Sequence, residues 1–307
     1  MQKTELKNAN NITFSKEFTH KFKNALKEHF GYEEFMDFLV VPSITGKKTL
    51  SYLPIINYTD RKSDDIEDLK ELSKENRFQI RALNFEYRDF KDNDTVTMRL
   101  DIGGFSSDEL FMKTVKKKCR TKVRKSMKNG FEFAYGNGTK ELDDFYTIFS
   151  DTMYMHGTPA FSKEFFISLS KEYKDSILFF NSYDNKKVIS SYCVLLDKKI
   201  AWAGWGGVDM EYRGKLAGYF TQWNTIRSIT DLYDKIEIFD FGRSPFNGGT
   251  YGYKAQFGAT PVKIDIITSQ TKDIYSKYSL ASNIWKKLPK SMVDLIGPKL
   301  CKYLVDL

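Results

Sequence analysis

Apolar residues recur at helical spacing between residues 16 and 30, where Phe18, Phe22, Ala25 and Phe30 share one face and Gly31 supplies a stop. The pattern then changes to short apolar runs at 38–42 and 49–56, separated by the turn-like Thr45-Gly46-Lys47-Lys48, which predict a hairpin. A charged surface helix is expected at 64–74, and strands at 78–83 and 95–100. Residues 111–130 carry Met112, Val115, Cys119, Val123 and Met127 at steps of three and four, the single stripe of a basic helix ended by Asn129-Gly130.

Beyond it the pattern predicts a strand at 131–135, a helix at 139–154, and a helix at 162–173 capped by Ser162. Three strands follow at 176–180, 188–196 and 200–207, and the turns at 183–186 and 197–199 make them an antiparallel meander. A glycine-containing turn then opens a helix reaching about Asp231, and a short alternation at 236–239 predicts one more buried strand. A closing strand at 264–267 and one or two helices interrupted by Pro289 and Pro298 complete the chain. The expected fold is α/β, of the α+β kind, with mixed, mostly antiparallel sheets flanked by helices.

Composition narrows the function. The 307 residues are 41% hydrophobic and 15% aromatic, enough for substantial cores and for two domains. No apolar run approaches the ~20 residues that cross a bilayer and the first residues are polar, so the expected location is cytoplasmic. Three cysteines and three histidines lack metal-ligand spacing, which argues against a bound metal. The net charge of +8, concentrated between Lys113 and Lys128, favours anionic partners such as nucleotide-linked donors, RNA or acidic lipid surfaces.

Two stretches carry candidate chemistry. In Val208-Asp209-Met210-Glu211-Tyr212-Arg213-Gly214-Lys215-Leu216-Ala217-Gly218, a strand, a glycine turn and a helix N-terminus succeed one another, an arrangement that aims free backbone amides at a pyrophosphate. Residues 240–261 place Gly242, Gly248, Gly249, Gly252 and Gly258 among Asp240, Arg243, Ser244, Asn247 and Lys254, and are expected to form a loop at a strand end. Asp240 and Arg243 are a candidate pair that shapes it, and Tyr251 and Tyr253 are candidate hydrogen-bond donors. Packing alone would account for these four residue types about as well. No Ser-His-Asp or Cys-His order stands out, so direct transfer without a covalent enzyme intermediate is expected.

The second stretch resembles the signature of the Fem peptidoglycan-bridge aminoacyltransferases and their FemAB-like relatives, in which a Phe-Lys pair precedes a Phe-Gly. Here the matching residues are Tyr253-Lys254 and Phe257-Gly258, with Tyr replacing Phe. The resemblance implies two tandem GNAT-like domains, 1–110 and a C-terminal acyltransferase domain at 131–270, joined by a basic connecting helix at 111–130; the amphipathic pattern at 271–307 predicts helices that pack on the body. The resemblance singles out Lys254 for stabilising the tetrahedral intermediate or the leaving group. It places Arg120 and Arg124, one turn apart, on the connecting helix lining the groove, where they are candidates to clamp a phosphate, and His156 and Thr158 at its acceptor side. The string Arg213, Gly214, Gly218 is similar to the acyl-CoA pyrophosphate loop of GNAT enzymes, with Leu216 where a glycine is usual.

The implied activity is transfer of an acyl or aminoacyl group to an amine of a cell-envelope glycan or peptidoglycan precursor. The donor is an acyl-CoA or an aminoacyl-tRNA acting as co-substrate, with no resident cofactor. A non-catalytic nucleic-acid- or membrane-binding module would need only the basic helix, and the C-terminal helices offer a surface for a dimer or a peripheral membrane contact. Neither the acceptor nor the oligomeric state is legible at this level.

Overall fold

A computed structural model describes residues 11–43, 46–61, 77–268, 282 and 285–303; the helix expected at 64–74 lies outside them. One eleven-stranded sheet spans the molecule, in the order β1-β2-β3-β4-β11-β5-β10-β9-β8-β7-β6. The strands are β1 (Glu33–Phe35), β2 (Phe38–Pro42), β3 (Lys48–Ser51), β4 (Phe78–Asn84), β5 (Thr95–Asp101), β6 (Glu132–Gly136), β7 (Ile177–Asp184), β8 (Lys187–Asp197), β9 (Ile200–Val208), β10 (Ile238–Pro245) and β11 (Thr260–Thr268). Neighbours are antiparallel except β3–β4 and β9–β10, which are parallel. The mixed α/β architecture with a mostly antiparallel sheet is the one the pattern predicts.

Alternation along the strands divides the core between the two faces of the sheet. Phe179, Leu195, Trp202 and Ile238 pack with α1 (Lys16–Phe30), α4 (Thr139–His156) and α5 (Lys163–Tyr173) on one side. Their immediate neighbours Phe180, Val194, Ala201 and Phe239 pack with α2 (Ser107–Lys113), α3 (Lys117–Ser126) and α7 (Ala217–Leu232) on the other. The aromatic stripe of α1 is buried as expected, and Gly31 takes the left-handed C-cap, its N–H bonded to the Lys27 carbonyl.

Three local expectations are corrected. The strand expected at 49–56 stops at Ser51, because Pro54 lacks a donor and Ile55 is left-handed at φ 77°. The single helix expected at 111–130 is broken into α2 and α3. Between them the Lys116 amide bonds the Gln256 carbonyl, and Arg120 donates to the carbonyls of Met112 and Val115 at 3.0 and 2.6 Å. Met112 and Met127 consequently face solvent while Val115, Cys119 and Val123 are buried. The third correction concerns 240–261. Antiparallel pairing to β5 carries β10 as far as Pro245, and the glycines beyond open a short helix, α8 (Gly249–Ala255), before β11 begins.

The halves share the sheet. β11 returns from the C-terminal side to lie between β4 and β5, and β10 pairs with β5. At the C-terminus, α9 (Lys290–Cys301) lies against α4 with Val293 and Cys301 buried and Met292 and Leu295 exposed.

Candidate active site

The parallel pair β9–β10 is joined over only three rungs, Ile238 to Ile200, Phe239 to Ala201 and Asp240 to Trp202. Beyond them β9 runs on to Val208 and β10 to Pro245 without pairing to each other, so the strands part and open a cleft. A cavity of about 850 Å³ lies there, walled by Gly204, Trp205 and Gly206 of β9, Phe241 of β10, Gly218 and Gln222 of α7, and Lys254 of α8. Between them, α6 (Met210–Arg213) brings Arg213 to its rim.

Lys254 is held by backbone. Its Nζ donates to the carbonyls of Gly242 and Arg243 at 3.0 and 2.8 Å. Burial, opposed by Asp240 and reinforced by Arg243, lowers its pKa to about 7. The two acceptors belong to a bulge in β10, where the register against β5 shifts between Asp240 and Arg243. Gly242 adopts φ 75° in this bulge, and a Cβ there would lie 2.9 Å from the Asn57 amide.

A buried polar network fixes the bulge. Asp240 Oδ1 accepts from Thr97 Oγ1 at 2.6 Å and from the Gly242 amide at 2.7 Å, while Oδ2 accepts from Tyr58 at 2.7 Å and Arg99 Nε at 3.0 Å. Arg99 also donates to the Tyr58 hydroxyl and the Ile12 carbonyl. With its amide oriented to satisfy both neighbours, Asn57 accepts from Trp202 Nε1 and the Arg243 amide, tying the splayed strands together. Asp240 was expected to pair with Arg243; the ion pair it forms is with Arg99.

At the start of α7, Leu216 sits at φ 63° as the N-cap, keeping a glycine-like backbone without a glycine. Leu216 is not among the cavity residues. Gly214 is helical at φ −63° with open space where a Cβ would stand. Tyr253 donates to the Gly218 carbonyl at 3.0 Å, fastening α8 to the start of α7, and burial raises its pKa. Tyr219 receives Lys122 Nζ at 2.9 Å, which brings one lysine of α3 to the cavity margin.

Two family models match the chain. The description "FemAB family" covers residues 12–183, and "Acetyltransferase (GNAT) domain" covers 113–255. The chain belongs to the FemAB family. As such it is an acyl- or aminoacyltransferase. Among solved structures, that of FemX is similar at 12% identity and TM-score 0.58, covering 92% of this chain and 98% of that one. The C-terminal domain of a putative lysylphosphatidylglycerol synthetase from Agrobacterium fabrum is similar at 13% identity and TM-score 0.54, covering 86% and 94%. The structure of L-PGS from Bacillus licheniformis is similar at 11% identity and TM-score 0.50, covering 90% and 98%. These likenesses concern the fold. No curated protein sequence matches the chain.

In this FemAB chain the cavity gathers Lys254, Tyr253, Arg213, Gly218 and His156. His156 ends α4, and burial, with Arg213 and Lys286 nearby, lowers its pKa. The other candidates stand elsewhere. Tyr251 packs on Phe246 at 4.9 Å between ring centroids, Asn247 donates to Asp92, and Ser244 Oγ is buried without a partner. Asp240 and Arg243 act behind the wall, through the bulge. Arg120 caps α2, and Arg124 lies over the Phe111 ring. Thr158 follows the left-handed Gly157 just past α4, outside the cavity lining.

Residues that the sequence did not single out complete the site: Tyr192, with a hydroxyl pushed up to about 12 by burial, Gln222, and the supporting Asn57, Tyr58 and Arg99. Alternation marks the strand residues as buried, and only the fold brings them to the cleft. Among the described residues no group of three His, Cys, Asp or Glu side chains is placed to hold a metal ion. Nor is any helix among them long and apolar enough to cross a membrane.

Proposed function

We propose that this chain transfers an acyl or aminoacyl group from an activated carrier to an amine of a cell-envelope glycan or peptide precursor, with Lys254 as the proton-transfer group. The observation that carries the reading is Lys254 itself, with a pKa near 7 and two of its N–H groups on backbone carbonyls. A neutral amine has two N–H donors, so both are engaged and the lone pair is left for the cleft; the ammonium has a third donor to offer there. Neutral Lys254 therefore accepts a proton as the acceptor amine attacks the carbonyl carbon. The C–N bond forms, the carbon–heteroatom bond to the carrier breaks, and the Lys254 ammonium returns the proton to the departing thiolate or oxygen.

The donor enters at the α7 end, where Arg213 and the first amides of the helix favour phosphate. An acyl-CoA is the first reading of the donor, supported by the cavity of about 850 Å³ where β9 and β10 part and by Arg213 at its rim. Aminoacyl-tRNA is the second reading, supported by Lys122, which links the basic helix α3 to Tyr219 at the cavity edge. The test offers labelled acetyl-CoA and charged tRNA in parallel to the full chain with a peptidoglycan-precursor peptide. Transfer from one carrier that is abolished in Lys254→Met supports the mechanism and names the donor. Transfer undiminished in that variant overturns it.

A further inference from the structure

Among the described side chains of helix α7, Gln222 Nε2 is the one buried polar atom without a hydrogen-bond partner. Thr221 bonds Ser182 and the Ala217 carbonyl, Asn224 bonds the Phe220 carbonyl, and Thr225 and Thr230 bond the carbonyls one turn back. Gln222 stands among them 2% exposed, and its carboxamide makes no hydrogen bond to any described residue. Its Nε2 is wholly buried and unpaired, and the side chain lines the cleft that holds Lys254. A buried donor without a partner is an uncommon feature of a folded protein. A group that lies in the wall of a ligand cleft meets its partner when the ligand arrives.

We propose that Gln222 is the residue that recognises a neutral secondary amide of the substrate. A carboxamide offers a donor and an acceptor in one plane, which complements the C=O and N–H of another amide. The cavity it lines is also walled by Phe241, Ala203, Gly204 and Trp205, apolar surface that suits an extended neutral arm better than a desolvated carboxylate or phosphate. Such an amide belongs either to the arm of a coenzyme A-type donor or to the peptide of an acceptor. The inference rests on the transferase reading above and assigns Gln222 a positioning and specificity role within it.

The test measures binding of coenzyme A and of a blocked trialanine peptide to the full chain by NMR titration, for the wild type, Gln222→Met and Gln222→Glu. Gln222→Met is expected to weaken one probe at least tenfold while Tm stays equal or rises, since an unpaired polar group leaves the interior. Loss for coenzyme A locates the amide in the donor, and loss for the peptide locates it in the acceptor. Gln222→Glu is expected to weaken the same probe at neutral pH and to recover as its carboxyl is protonated, because a carboxylic acid again pairs donor with acceptor. Equal affinities in all three proteins, no binding of either probe by the wild type, or a fall in Tm with binding intact would overturn the inference. Dependence of transfer on Lys254 is read in a separate assay, so failure here leaves the transfer mechanism standing.

Discussion

Arg99 and Asp240 form an ion pair 3.0 Å long in which neither side chain is exposed to solvent. The pair joins β5, from the first half of the chain, to β10, from the second, at the last rung before β9 and β10 part. Every oxygen of the carboxylate is occupied, and the glycine amide it holds begins the bulge whose carbonyls receive Lys254. The Lys254 amine is thus placed by a residue to which it makes no hydrogen bond.

Replacing Asp240 with Asn leaves the Arg99 guanidinium buried without its counter-charge, a loss of ~3–5 kcal/mol for a broken buried pair. Asp240 also raises the pKa of Lys254, so its removal carries that pKa below about 7. Urea denaturation of Asp240→Asn should show the destabilisation, and the acid limb of its pH–rate profile should lie at lower pH than in the wild type.

Lys254→Met is expected to reduce kcat/KM by ~10²–10⁴, the usual span for a lost proton-transfer group. Its effect on stability has the opposite sign. The folded-state pKa is depressed, so between pH 7 and 10.5 the unfolded chain holds a proton that the folded chain lacks, and wild-type stability rises with pH across that window. Denaturation midpoints taken across it should climb in the wild type relative to Lys254→Met, and at pH 7 the variant should be the more stable protein. A parallel pair of curves would show that the amine is not held neutral by the fold.

The helices, the meander and the buried faces of the strands are legible in the sequence because each follows from local spacing. Phe18, Phe22, Ala25 and Phe30 define α1, and Gly31 ends it as read. What local spacing misses is pairing over long separations. The bond that the Lys116 amide donates to the distant Gln256 carbonyl lies at the break in a helix whose stripe looks continuous. Pairing to β5 keeps β10 extended through residues that read as loop. Lys254 was reached through a family motif; Arg99, Tyr58 and Asn57 carry no signal until the sheet assembles around them.

The glycines of the two candidate motifs differ in what they do. Gly258 lies at φ 97° with a would-be Cβ 2.8 Å from the Thr114 carbonyl oxygen, so Gly258→Ala should cost ~1–3 kcal/mol through backbone strain. Gly214, helical and facing open space, should accept Ala within ~0.5 kcal/mol. Thermal melts of the two variants separate a structural glycine from a dispensable one.

Tyr253→Phe removes the hydroxyl that fastens α8 to the Gly218 carbonyl. A loss of ~1 kcal/mol in stability is expected, the size of one ordinary hydrogen bond. Because the ring remains and Lys254 keeps both carbonyls, the fall in kcat should stay well short of that for Lys254→Met. Comparing the two variants in one transfer assay distinguishes a positioning phenol from a catalytic one.

The place of β11 sets the order in which this protein can be made. β4 and β5 come early in the chain, yet the strand that fills the gap between them ends at Thr268. Until that strand emerges, β4 is paired on one edge only, with β3, and the edges of β4 and β5 that face β11 stand open. Completion of the sheet between β4 and β5 therefore waits for residues 260–268 to leave the exit tunnel, and a nascent chain cut short before β11 keeps open strand edges that are targets for chaperones and proteases.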